Sequence, residues 1–118
     1  MERDQPTKVV IVEGITDKKQ IERVIAEPLT IICTYGTLGI ERFDELLETY
    51  DLDNQDVYIC VDEDEPGLEL RQQLASEFPH AKHIRVPSEY IEVATTPLHI
   101  LATSFLNERI KVKPQFLR

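Results

Sequence analysis

Four short apolar runs rich in β-branched residues, each leading towards a stretch of helical periodicity, leave this chain few ways to fold. They are Lys8-Val-Val-Ile-Val12, Leu29-Thr-Ile-Ile-Cys33, Val57-Tyr-Ile-Cys-Val61 and His83-Ile-Arg-Val86. The first is nearly unbroken, the pattern of a strand buried on both faces in a parallel sheet. Between the runs, Thr16 can cap a helix carrying Ile21, Val24 and Ile25, closed by Pro28. After a loop, Thr34-Tyr-Gly36-Thr37-Leu-Gly39, a second helix gathers Ile40, Phe43, Leu46, Leu47 and Tyr50 on one face. Pro66 suits the first turn of a third, with Leu70, Leu74 and Phe78 spaced by four and Pro79 ending it. Thr96-Pro97 precedes a fourth, striped by Leu98, Leu101, Ala102 and Phe105. Ser88 to Ala94 reads as either an edge strand or a loop.

This alternation predicts an α/β fold: a three-layer α/β/α, Rossmann-like domain with a mainly parallel sheet of about four strands. Right-handed crossovers and a flavodoxin-like order of 2-1-3-4 make the first and third strands neighbours where the winding reverses. Ligands of such sheets lie beyond the carboxyl ends of the strands at that point. At 118 residues the chain reads as a single domain, 1–118.

What stands at those ends is acidic. Glu13-Gly14 stops the first run, and Asp62-Glu63-Asp64-Glu65-Pro66-Gly67 follows the third. Carboxylates packed this closely repel one another unless water, a counter-charge or a metal ion takes up the field. The topology brings Glu13, Asp62 and Asp64 within reach of one cation. Hard oxygen ligands favour magnesium or manganese, and the matching chemistry is phosphoryl transfer or phosphodiester cleavage. Glu13, alone on its strand, is the natural proton carrier. Plainer readings stand beside this: Glu13 paired with Lys18 or Lys19, and Asp64 capping the third helix.

The formal charge of −9 argues against a free-standing, sequence-tolerant nucleic-acid binder. A metal-mediated contact or a partner protein stays open. Acids concentrate from Glu41 to Glu69, whereas the tail carries Arg109, Lys111, Lys113 and Arg118 against Glu108, which suggests docking on an acidic surface. Ile110-Lys-Val-Lys-Pro114 alternates like an edge strand able to extend a neighbour's sheet. No stretch approaches the roughly 20 apolar residues that span a bilayer, and no apolar signal segment leads the chain. The expectation is a cytoplasmic protein, not a membrane one, with Cys33 and Cys60 as reduced, buried thiols.

Other constellations fail on their own terms. An EF-hand loop beginning at Asp62 would have Pro66 fifth and Gln73 where a bidentate glutamate is needed. The exception is a phosphate-accepting receiver domain, which shares the winding and stays open as a minor alternative, although it wants a lysine beyond a fifth strand that this sequence does not clearly offer. His80, His83 and His99 lack zinc-like spacing, Ser88 has no nearby base, and no dinucleotide or P-loop glycine motif occurs.

Val9-Val-Ile-Val-Glu13-Gly14-Ile-Thr-Asp17 and Val61-Asp62-Glu-Asp64-Glu-Pro66-Gly67 together resemble the two motifs of the Toprim family. This domain is shared by topoisomerases, bacterial primases, overcoming-lysogenization-type nucleases and the nuclease that matures bacterial 5S ribosomal RNA. The last is the nearest likeness, through Pro66-Gly67 and Arg71 one turn later. The resemblance spans about residues 8–86, with the fourth helix and basic tail, about 95–118, beyond it. It implies Asp62 and Asp64 as magnesium ligands and Glu13 as general acid or base. Gly14, Asp17, Lys18, Gly36, Thr37, Gly67 and Arg71 are then substrate-binding or supporting residues, with Glu63 and Glu65 as possible outer groups. The site departs from the family where Ile15 replaces a lysine common in such nucleases. The short chain also lacks their substrate-binding module, so a non-catalytic module docking on a nucleic-acid-processing enzyme is the rival to a nuclease-like enzyme.

Overall fold

The inner strand β1, Lys8–Val12, sets the layering because its side chains alternate between two cores. Val9 and Ile11 point into one, with Ile32, Phe43, Leu46, Leu70 and Leu74; Val10 and Val12 point into the other, with Ile21, Val24, Leu101 and Phe105. In the computed structural model, which describes residues 7–36 and 40–117, the chain continues as α1 (Ile15–Val24), β2 (Thr30–Cys33), α2 (Ile40–Tyr50), β3 (Asp56–Ile59), α3 (Glu65–Glu77), β4 (Lys82–His83) and α4 (Leu98–Leu106). The lead-in before Thr7, Thr37 to Gly39, the Ile40 and Glu41 side chains and Arg118 lie outside the described residues.

The sheet order is β2-β1-β3-β4, parallel throughout, so the expected winding is the one found. Helices α1 and α4 cover one face, and α2 and α3 the other, giving the three layers. The β1–β3 register pairs Val10 with Tyr58 and Ile11 with Ile59, which carries Glu13 and Asp62 out of the same end of the sheet.

Several boundaries differ from expectation. Helix α1 starts at Ile15 with Gly14 as its N-cap, not at a Thr16 cap, because the Asp17 carboxylate reaches back to the Gly14 N–H at 3.0 Å. It ends at Val24, well before Pro28: Ile25 turns extended and bridges Val112 antiparallel. Thr96 lies outside α4, whose N-cap is Pro97, and its hydroxyl donates to the Glu92 carbonyl at 2.7 Å. Strand β4 is two residues long and starts at Lys82, although Ile84 still donates to the Ile59 carbonyl and Ile84 and Val86 remain buried. Ser88 to Ala94 contains no strand.

The tail docks on its own chain. Ala26 N–H donates to Lys111 O and Lys113 N–H to Val24 O, while Ile110 and Val112 are buried. Its charged partner is Glu27, which accepts the Lys111 N–H at 2.7 Å and pairs with Lys8 at 3.0 Å. The segment expected to extend a neighbour's sheet therefore pairs within this molecule. Both cysteines are free; Cys60 is fully buried, with its thiol pushed up to about 12 by that burial, and Cys33 is half-buried. Among the described residues no helix is long and apolar enough to cross a membrane.

Candidate metal centre

Three carboxylates meet at the carboxyl end of β1 and β3. One ligand oxygen from each of Glu13, Asp62 and Asp64 lies within 4.8 Å of the others. Each is aimed by a backbone amide: Glu13 Oε1 accepts the Asp62 N–H at 3.2 Å, Asp62 Oδ1 the Val93 N–H at 2.8 Å, and Asp64 Oδ1 the Gly67 N–H at 2.9 Å. Among the described residues no hydrogen-bond donor meets the second oxygen of any of the three. Nor does any cation pair with them; neither Lys18 nor Lys19 reaches Glu13, and the ion pairs present are Lys8–Glu27, Arg71–Glu63 and Arg85–Glu63. Asp64 does cap α3 as the plainer reading held, and it joins the cluster as well.

The electrostatics follow from that isolation. Burial raises the pKa of Glu13, the Asp62 amide partly offsets it, and the Asp64 and Asp17 charges add to the rise. Asp62 is pushed up to about 6, first by burial and then by Glu13, Asp17 and Asp64, against the Val93 amide. Half-buried carboxylates without a counter-charge, two of them, Glu13 and Asp62, with pKa values raised by burial and by their acidic neighbours, make a candidate place for a ligand cation. Oxygen-only donors on a rigid strand end fit a hard divalent ion such as magnesium or manganese, which also keeps water and substrate oxygens in its shell.

Gly67 makes the turn possible. A Cβ there would stand 2.1 Å from the Asp62 carbonyl oxygen and 2.9 Å from Asp64 Oδ1, so α3 can approach the Asp-x-Asp turn this closely only with glycine. Gly14 starts α1 directly after Glu13. Asp17 is buried under that first turn and holds the Gly14 N–H, so it acts on the cluster through its charge, not as one of its ligands. Burial raises the Asp17 pKa too.

The remaining expected site residues divide. Arg71 is 3% exposed, and its guanidinium is occupied by Ile59 O, Ile84 O, His83 Nδ1 and Glu63 Oε2. It braces β3 against the chain after β4 beneath the site. Glu63 is held by Arg71 and Arg85 and does not join the carboxylate cluster, and Glu65 is exposed in the first turn of α3. Lys18 lies half-buried on α1, and Gly36 has φ +115° after β2; Thr37 is outside the described residues.

The segment from Pro87 to Thr96 is the part that the sequence did not mark. Besides the Val93 amide on Asp62, its Ile91 carbonyl accepts the Glu63 N–H at 2.6 Å, with Ile91 at φ 62°. Backbone groups in a loop carry no side-chain signature; the fully buried Val93 is the trace this one leaves.

A parallel 2-1-3-4 sheet with a glutamate closing β1 and an Asp-x-Asp turn after β3 defines a Toprim domain. No protein-family model matches the sequence. It is 46% identical over 117 residues to the uncharacterized protein YusF of Bacillus subtilis (strain 168), covering 99% of this chain and 79% of that one. The solved structure of a small TOPRIM domain protein from Bacillus stearothermophilus superposes with a TM-score of 0.88 at 39% identity, covering 97% of this chain and 95% of that one. The chain belongs to this family of small Toprim-domain proteins.

Proposed function

We propose that the protein is a magnesium- or manganese-dependent enzyme of phosphoryl transfer, cleaving phosphodiester bonds in nucleic acid or a nucleotide in the cytoplasm. The observation that carries this reading is the convergence of Glu13, Asp62 and Asp64 with no cation of the protein's own beside them. A bound divalent ion would neutralise charge on phosphate oxygens and sharpen an attacking water. Asp62 and Asp64 would hold it, and their contacts to the Val93 and Gly67 amides orient the two carboxylates for that role. Glu13 has the raised pKa a proton carrier needs, and its free oxygen takes the proton from the nucleophile or returns it to the leaving group.

The test is turnover of a short labelled oligonucleotide and of an activated phosphate diester in manganese. Asp62→Asn/Asp64→Asn is expected to lose both cation binding and turnover. Glu13→Gln is expected to lose turnover by roughly 10²- to 10⁴-fold while retaining more of its cation affinity. Wild-type turnover that survives both the double variant and EDTA contradicts the reading. The rival, a non-catalytic module docked on a nucleic-acid-processing enzyme, draws on the charge of −9 and on the burial of Arg71. A stoichiometric partner in a pull-down, with no turnover of RNA or DNA, favours it.

A further inference from the structure

We propose that the groove along the open edge of β2 seats single-stranded nucleic acid, with a base stacked on Tyr35 and phosphates against Lys18 and Arg42. This deepens the reading of the carboxylate centre as acting on phosphodiesters, and rests on it. Strand β2 is outermost in the sheet, and α1 and α2 stand on either side of its free edge. The groove there holds a cavity of about 340 Å³ floored by Ile31 and Cys33, with Lys18 on the α1 wall and Arg42 on the α2 wall. A second cavity of about 530 Å³ shares Lys18, Ile31 and Tyr50 with it, so the two run on as one channel down the edge.

The end of that channel nearest the metal centre has the chemistry of a nucleotide seat. Tyr35 is 71% exposed and sits at φ 59°, a conformation uncommon for any residue but glycine and rarer still for a bulky ring. Its N–H is fixed on the Glu13 carbonyl at 2.6 Å, so the ring is tied to the strand end that bears the proposed proton carrier. Lys18 is one helical turn from Gly14, to whose carbonyl its N–H donates at 3.2 Å. Ile15 and Tyr50, both exposed, add apolar surface to the same walls.

Charge separates the two ends. On a chain of net charge −9, Lys18 stands where the two cavities meet, Arg42 and Glu45 line the near one, and Glu22 and the Lys8-paired Glu27 line the far one. Lys18 and Arg42 offer two phosphate contacts between the acidic centre and the acidic far end, so the seat fits a few nucleotides, not a long tract. A protruding aromatic ring beside cations is how unpaired bases are held without sequence preference; a duplex keeps its base faces stacked inside.

The test is fluorescence anisotropy of a labelled oligothymidylate of about eight nucleotides in EDTA at low salt, so that no metal enters the readout. Saturable binding is expected. Tyr35→Ala weakens it about tenfold and Tyr35→Phe does not. Lys18→Ala and Arg42→Ala each lower the slope of log affinity against log salt by about 0.7. Lys82→Ala, at the opposite edge of the sheet, leaves affinity unchanged, and an equal-length duplex competes at least ten times less well. The proposal is overturned by an absence of wild-type binding, by Tyr35→Ala binding like wild type, by equal competition from duplex, or by an equal loss in Lys82→Ala. It is also overturned if the groove variants change the sedimentation coefficient instead of the affinity, which makes a second copy of the chain the occupant. A centre that binds no manganese leaves this measurement intact, so the two readings fail separately.

Discussion

Glu27 and Glu13 stand at opposite ends of one sheet and meet opposite surroundings. Glu27, at the amino end of β1, has the Lys8 ammonium at 3.0 Å and the Lys111 N–H at 2.7 Å. Burial alone would raise its pKa; the Lys111 amide and Lys8 outweigh burial and hold it below the ordinary glutamate range. Glu13, at the carboxyl end, has the Asp62 amide but acids as its charged neighbours, and burial leaves its pKa raised. A carboxylate that clasps two segments together is supplied with cations by the chain itself. The group of carboxylates proposed to receive a cation is left without them, at a cost to the metal-free fold.

The sharpest way to break this contrast is to strip a satisfied carboxylate of its partner. Arg71→Ala leaves Glu63 with only the exposed Arg85, strips the Ile84 carbonyl of its guanidinium donor and leaves the Ile59 carbonyl with the Ile84 N–H alone. Urea unfolding should show a loss of about 3–5 kcal/mol; a loss under about 1 kcal/mol would put Glu63 among the unsatisfied acids. Next, Gly67→Ala forces the Asp62 carbonyl away from its 2.1 Å approach. It should cost about 2 kcal/mol and weaken manganese binding at least tenfold, read by unfolding and calorimetry.

Glu27→Ala should cost about 1–2 kcal/mol at pH 7. Because the folded-state pKa of Glu27 is lowered, its contribution is present above the unfolded value and disappears as pH falls through the folded one. Unfolding curves of wild type and variant should therefore converge in acid. Smallest, and opposite in sign, is Asp62→Asn. With a folded pKa raised to about 6, ionised Asp62 disfavours the fold as pH rises from about 4 past 6. The metal-free variant should be more stable than wild type by about 1 kcal/mol at pH 7.5, or ~4 °C in Tm, allowing for solvent screening. That gain should vanish below pH ~4 and reverse in saturating manganese.

The strand order and the meeting of Glu13 with Asp62 and Asp64 were legible in the sequence. The β-branched runs admit only a buried parallel sheet, and its winding then fixes which strand ends are neighbours. Asp64-Glu-Pro66 was legible as a helix start for a local reason, a capping carboxylate before a proline. What could not be read depends on distant partners. For Arg71 the sequence leaves substrate contact and supporting residue open, and its Ile84 carbonyl partner comes only with β4 and the chain after it. The hold of Val93 on Asp62 is a bond from a backbone amide to a carboxylate across 31 positions, and the early end of α1 answers to Val112. Tyr35 gave no periodic signal, because its exposure is a property of a left-handed turn.

The central claim is tested most directly by anomalous diffraction from a crystal soaked in manganese. The account predicts one strong peak between the ends of β1 and β3, with oxygens of Glu13, Asp62 and Asp64 at about 2.1–2.3 Å. A peak only elsewhere on the acidic surface, with these three carboxylates keeping their amide contacts and no ion between them, would contradict it.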